Sequence, residues 1–115
     1  MIIRYITGKK EIKSLNYNIL LMRMLFKGSY KAAKLIKISM EIENNIIKYI
    51  RITGDFFMYP EDSIRKLEKI LIGAPLNKSA LYSKISEFFH NEDVQVPLMS
   101  PEDFVKAILK SKPEV

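Results

Sequence analysis

Cysteine is absent from this chain of 115 residues, and histidine occurs once, at His90. The lack of cysteine excludes disulfides, thiolate metal sites, iron–sulfur ligation and cysteine nucleophiles. A single histidine cannot build a multi-histidine metal site, and its position near a predicted helix end fits a capping or solvated side chain. We therefore predict no metal site, and the composition is compatible with a reducing cytoplasm, which is the expected location.

Glycine is also scarce, with four residues in the whole chain. Neither glycine-rich phosphate-binding pattern, G-x-x-x-x-G-K-[ST] or G-x-G-x-x-G, is present. The adjacent acids Glu61-Asp62 and Glu102-Asp103 stand at predicted helix starts, where the helix dipole favours negative charge without any catalytic role. An enzyme that acts alone is therefore the least supported interpretation.

Long hydrophobic runs are missing although 48% of the residues are hydrophobic. The run from Ile19 to Met22 is interrupted by Arg23 and is far too short to cross a bilayer, so no membrane span is predicted. The chain length fits one domain with one core. Such a domain has little room for both a core and a deep active-site cavity.

Acidic residues are rare at the start of the chain. Residues 1–40 contain nine Lys or Arg and only Glu11 as an acid, whereas residues 41–115 are slightly acidic. A basic segment of this kind suits nucleic acid, an anionic ligand or an acidic partner, and equally a solvated arm. A small basic nucleic-acid-binding protein is the alternative interpretation, with interspersed Tyr5, Tyr17, Phe26 and Tyr30 available for base stacking.

Alternation of apolar and polar residues predicts two strands in the middle of the chain. In residues 34–42 every second residue is apolar, which is typical of a half-buried strand. The residues Glu43-Asn44-Asn45 then favour a hairpin turn. Residues 46–53 follow as a β-branched strand, with Ile46, Ile50 and Ile52 on one face, and Gly54 permits a bulge or bend.

Three helices are predicted after the hairpin. We expect the first to open at Pro60, with Glu61 and Asp62 in its first turn, and to end at Gly73. The second should begin near residues 77–79. The third has the clearest start, because Ser100 can cap, Pro101 suits the first position and Asp103 completes an S-x-x-D pattern. Its buried stripe should contain the residues Phe104, Val105, Ile108 and Leu109.

These elements predict an α+β fold: an antiparallel hairpin or small sheet packed against about three helices on one face, as a two-layer sandwich. The joint between the hairpin and the first helix carries the sequence Gly-Asp-Phe-Phe-Met-Tyr-Pro-Glu-Asp at residues 54–62. Four large apolar or aromatic side chains stand in a row there. Strand alternation would bury two and expose two as a docking patch, whereas packing under the third helix would bury all four.

The stretch ITGDFFMYPEDSIRKLEKILIG at residues 52–73 resembles the accessory domain of lipoate–protein ligases. The lysine-containing strand at residues 34–38 and the late SPEDF at residues 100–104 complete the similarity, which covers residues 30–109. The family often has a glycine-rich segment before that strand, where this chain has Lys-Ala-Ala-Lys, so the matching lysine is ambiguous. The chain is accordingly divided into a basic N-terminal extension (1–29), an accessory domain (30–111) and a tail (112–115).

The resemblance implies a non-catalytic subunit of a two-chain ligase. In that family the catalytic domain binds ATP, Mg and lipoate, forms lipoyl-adenylate and transfers lipoate to a lysine of a carrier domain. The accessory domain closes over that site and is needed for adenylation, and some archaea carry it as a separate polypeptide. We expect this chain to pair with a catalytic subunit as a heterodimer, to bind no cofactor alone, and to meet lipoyl carrier domains only indirectly.

The resemblance also suggests site residues. Lys34, with Lys31 and Lys37 as alternatives, is expected to face the nucleotide, because a lysine brought in on closure can stabilise phosphate charge. The residues expected to dock the partner are Asp55, Phe56, Phe57, Tyr59 and Pro60.

Overall fold

The structure, a computed structural model, describes residues 23–114. Its strands are β1 (Met24–Lys31), β2 (Leu35–Glu43), β3 (Ile46–Gly54) and β4 (Lys112–Pro113), and its helices are α1 (Ser63–Leu71), α2 (Lys78–Asn91) and α3 (Pro101–Lys110). Most of the predicted N-terminal extension, residues 1–22, lies outside the described residues.

The strands form one antiparallel sheet in the order β3-β2-β1-β4. The buried residues of the strands point to one face and pack with the helices in a single core, whose largest fully buried members are Phe104, Ile36, Met40, Ile47, Leu67, Leu71, Leu81, Ile85 and Ile108. This arrangement confirms the predicted α+β sandwich. Among residues 23–114, no helix has the length and apolar character needed to cross a membrane.

The β2–β3 hairpin is closed by a two-residue loop. Asn44 and Asn45 both have positive φ, 57° and 63°, which is the conformation of a type I′ turn. A bulge in the pairing between Glu41 and Ile42 shifts the register near the start of β3. As a result Ile47 is fully buried and Ile46 is only half-buried, so the predicted placement of these two residues was wrong.

The strand β1 was not predicted. Its buried-side positions hold Phe26, Gly28 and Tyr30, and the glycine breaks the alternating pattern. Gly28 is a strand residue, paired with Ile38. A Cβ at Gly28 would lie 2.8 Å from the Cα of Ser111, so the glycine allows the end of α3 to cross the strand closely.

The first helix begins later than predicted. Tyr59 exchanges backbone hydrogen bonds with Gln95 at 2.9 and 2.8 Å, and this pairing holds the chain extended up to Pro60. The peptide bond between Tyr59 and Pro60 is cis. The helix starts at Ser63 with Asp62 at the cap position, and its first turn contains no acidic residue. Pro60 and Glu61 thus precede the helix, which corrects the predicted start.

The other two helices begin where the sequence placed them. The side chain of Asn77 accepts a hydrogen bond from the N–H of Ala80 at 2.9 Å, capping α2. At α3 the carboxylate of Asp103 accepts from the backbone N–H of Ser100 at 2.9 Å. One detail of the α3 stripe was wrong, because Leu109 is 40% exposed.

Candidate docking surface and basic turn

The segment after β3 alternates between the core and the surface. Phe56 packs edge-on against Phe104, with ring centroids 5.3 Å apart, and Met58 is buried. Phe57 and Tyr59 point outward, 69% and 50% exposed, and their rings stack with centroids 6.4 Å apart. Two of the four large side chains are therefore exposed, as strand alternation predicts. Together Phe57 and Tyr59 form what we call the aromatic pair.

The aromatic pair borders an open groove of about 470 Å³, the aromatic groove. Its walls come from the end of β3, through Ile52 and Thr53, and from the first turn of α1, through Ile64. Contiguous exposed apolar side chains of this kind commonly mark protein–protein contacts. Of the predicted docking residues, Phe57 and Tyr59 line the groove with their exposed faces, and Phe56 contributes from a half-buried position.

Asp55 and Pro60 flank this segment and are exposed. The backbone N–H of Asp55 donates to the carbonyl of Leu35 at 3.1 Å, which continues the pairing of β3 with β2 by one residue. Gly54 has φ of 154°, and a Cβ there would collide with the Leu35 carbonyl oxygen. A residue with a Cβ would therefore not fit at this junction unless the backbone moved.

The three candidate lysines lie at the same end of the sheet. Lys31 is the last residue of β1, and Lys34 lies in the turn that leads into β2. Lys34 therefore precedes the strand that was predicted to begin with it. Lys37 is on the sheet face away from the helices, and Lys31 shares that face as its diagonal neighbour, a spacing of about 7–8 Å.

The sheet pairing joins the lysines to the aromatic groove. Lys37 pairs directly with Thr53, a wall of the groove, and directly paired residues have Cβ atoms about 5 Å apart. Lys34 precedes Leu35, whose carbonyl binds the N–H of Asp55. Lys37 therefore lies beside the aromatic groove, and Lys34 is one residue away from the backbone contact between Leu35 and Asp55.

Positive charge is concentrated at this end of the open sheet face. At the opposite end, Arg23 binds Glu41 at 3.0 Å and Glu43 at 3.4 Å. The pKa of the Arg23 guanidinium is raised above its ordinary value, chiefly by the hydrogen bond to Glu41 and next by the hydrogen bond to Glu43. Among residues 23–114, no acidic side chain lies within ion-pair distance of Lys31, Lys34 or Lys37.

Glu68 supports the groove and was not singled out by the sequence. Its carboxylate accepts a hydrogen bond from the backbone N–H of Ile52 at 2.8 Å, although the residue is only 8% exposed. Arg65 binds the same carboxylate at 3.0 Å, and Arg51 approaches it at 3.8 Å. This carboxylate fixes α1 beside the outer edge of β3. The helix and the strand are the two elements that supply the walls of the aromatic groove. A charge between Leu67 and Lys69 gives no local sign of such a contact.

The chemistry available at this surface is binding and electrostatic stabilisation. Within residues 23–114 there is no cluster of three His, Asp or Glu side chains that could hold a metal ion. Exposed lysines can bind phosphate oxygens, and the aromatic pair can bury apolar area against a partner.

Residues 32–108 match the family described as the bacterial lipoate protein ligase C-terminus. Because this match covers more than half of the chain, the protein belongs to that family. The chain is 42% identical over 95 residues to lipoate-protein ligase A subunit 2 of Thermoplasma acidophilum, covering 82% of this chain and 95% of that protein.

A solved structure agrees with this assignment. It comes from a structural analysis of an archaeal lipoylation system, a bipartite lipoate protein ligase and its E2 lipoyl domain, from Thermoplasma acidophilum. The matching chain aligns with a TM-score of 0.68 and 40% sequence identity, covering 76% of this chain and 97% of that chain. The relative is thus a subunit of a two-part ligase.

Proposed function

We propose that this protein is the accessory subunit of a bipartite lipoate–protein ligase and pairs with a separate catalytic subunit. In this role it is required for the ATP-dependent activation of lipoate to lipoyl-adenylate, before lipoate passes to a carrier-domain lysine. ATP, Mg and lipoate bind at the partner's active site, the pair works in the cytoplasm, and this chain is inactive alone. The family membership and the naming of the relative as a second subunit support the proposal.

The observation that carries the proposal is the junction of the aromatic groove with the lysine turn. Phe57 and Tyr59 are exposed and stacked, and aromatic side chains are frequent anchors of protein interfaces. Lys37 is paired with Thr53 in the wall of the same groove. A partner that covers the aromatic pair therefore places its own adjacent surface beside the lysines.

The lysines then contribute charge at the adenylation step. That step builds negative charge as pyrophosphate leaves, and a cation fixed beside the phosphates stabilises this charge most where water is excluded. Closure of the accessory subunit brings the cation to the reacting phosphates and, in the same movement, excludes water from them. Lys34 is the first candidate because it projects from a turn at the end of the sheet, with Lys31 and Lys37 beside it.

Co-purification of this chain with its companion catalytic subunit tests the pairing. We expect a stable one-to-one complex, and a Phe57→Ala, Tyr59→Ala variant should lose it. Lys48→Ala is the matched control, because Lys48 is exposed on β3 away from the groove. Absence of any complex at micromolar concentrations would refute the pairing, and a complex unaffected by the double substitution would place the interface elsewhere.

A further inference from the structure

A second groove lies on the helical side of the molecule, between the first turn of α2 and the outward face of α3. One part of it, about 470 Å³, is lined by Lys78, Lys106, Lys110 and Leu109. An adjoining part of about 370 Å³ shares Lys78, Glu102 and Val105 with the first. Because the two parts share these residues, they form one continuous groove, which we call the helical groove.

The helical groove is cationic. Three lysines line it against one acid, Glu102. Elsewhere Lys27, Lys66, Arg23, Arg51 and Arg65 form ion pairs, but within residues 23–114 no acidic group lies within 4 Å of the three groove lysines. Even Glu102, one helical turn before Lys106, does not pair with it. The positive charge of the groove is thus not neutralised by its surroundings.

Apolar surface lies between these lysines. Leu109 is 40% exposed and Tyr82, which lines the adjoining part, is 46% exposed. The side chain of Val105 forms the floor from its buried position. An occupant that matches this surface carries negative charge along its length and apolar groups between the charges.

We propose that the helical groove binds an extended acidic segment of a partner protein, with apolar side chains spaced between its acids. Its carboxylates meet Lys78, Lys106 and Lys110, and its apolar side chains cover Leu109 and Val105. The proposal concerns a surface separate from the aromatic groove and does not rest on the ligase function.

The groove is less suited to nucleic acid or to a small free anion. Single-stranded nucleic acid binds through successive free aromatic faces, whereas Lys110 already lies over the ring of Tyr30 at 5.8 Å, leaving Tyr82 as the exposed ring among the described lining residues. The N-terminus of α2 is occupied by its own cap, because Asn77 accepts from the N–H of Ala80.

Fluorescence anisotropy with defined probes tests the proposal on the full chain. The probes are a labelled short polyglutamate peptide, the same peptide with interspersed leucines, an oligothymidylate and inorganic pyrophosphate as a competitor. The groove variant is Lys106→Glu, Lys110→Glu. The control is Lys48→Glu, Lys69→Glu, which makes the same change in net charge at exposed positions on β3 and α1. Circular dichroism checks that both variants fold.

We expect the leucine-containing acidic peptide to bind more tightly than polyglutamate. The groove variant should weaken this binding by at least about tenfold and the control by less than about twofold. Leu109→Ser should weaken the leucine-containing peptide alone. Equal losses in the groove variant and the control would reduce the effect to net charge and overturn the proposal. Tighter, groove-dependent binding of oligothymidylate would also overturn the proposal. Displacement of the peptide by pyrophosphate at stoichiometric concentration would do the same.

Discussion

The backbone N–H of Ile52 donates a hydrogen bond to the buried carboxylate of Glu68 at 2.8 Å. Ile52 lies on the outer strand of the sheet, where backbone groups that face outward have no strand partner. Glu68 satisfies one of them and is itself neutralised by Arg65. The contact therefore protects the sheet edge and sets the position of α1.

Replacement of Glu68 tests this contact. We expect Glu68→Ala to lower the free energy of unfolding by about 1–3 kcal/mol, because it leaves the N–H of Ile52 without an acceptor in a buried position. Glu68→Gln keeps an acceptor oxygen and should cost less. Urea unfolding monitored by circular dichroism measures both, and an unchanged midpoint for the alanine variant would contradict the assigned role.

Gly28 should tolerate no side chain. Gly28→Ala places a Cβ 2.8 Å from the Cα of Ser111, which is backbone and cannot rotate away. We expect a loss of about 1–3 kcal/mol, as for other overpacked sites. The neighbouring Ser29→Ala is the control, since Ser29 is exposed on the open face, and its unfolding midpoint should be unchanged. Equal midpoints for the two variants would show that the crossing is looser than described.

Phe56 and Phe57 are adjacent residues with different expected roles. Phe56→Ala removes a ring packed on Phe104 and should cost about 3–5 kcal/mol of stability, since it leaves a cavity. Phe57→Ala removes an exposed ring and should change stability by no more than about 0.5 kcal/mol.

For binding to the catalytic subunit we expect the opposite order, with a larger loss for Phe57→Ala than for Phe56→Ala. Phe57→Ala is expected to weaken the complex with the catalytic subunit by about tenfold or more, measured by isothermal titration calorimetry at a temperature where the variant is folded. If Phe57→Ala destabilises the isolated chain as much as Phe56→Ala, its ring belongs to the core and the docking surface is misplaced.

Lys34→Ala separates binding from activation. We expect unchanged affinity for the catalytic subunit and a fall of at least about tenfold in lipoate-dependent pyrophosphate release, because the lysine acts on charge that develops in the reaction. Lys48→Ala serves as the control at an exposed position away from the turn. An unchanged rate with intact binding would assign the charge-stabilising role to Lys31 or Lys37 instead. Unchanged rates for the alanine variants of all three lysines would exclude this role.

The central part of the fold was predictable because its signals are local. The hairpin follows from alternating residues on β2 and from two asparagines at its turn, and α3 follows from Ser100 and Pro101. The outward position of Phe57 and Tyr59 was one of two outcomes that the sequence allowed. These features depend on residues close together in the chain.

The features that were missed depend on distant contacts. The strand β1 was missed because Gly28 interrupts its alternating pattern. The reason for that glycine is the close approach of Ser111, which is distant in the sequence. The start of α1 was misplaced because Gln95 holds Tyr59 extended. The surface that joins Lys37 to Thr53 exists only through strand register. No pattern within one segment encodes these relationships.

Lipoate-dependent pyrophosphate release from ATP, measured with the catalytic subunit and this chain alone and together, shows whether this chain is required for activation. The proposed function predicts negligible release by either protein alone and release that rises until the two are equimolar. Full activity of the catalytic subunit alone, unchanged by addition of this chain, would contradict the claim, as would release by this chain without a partner.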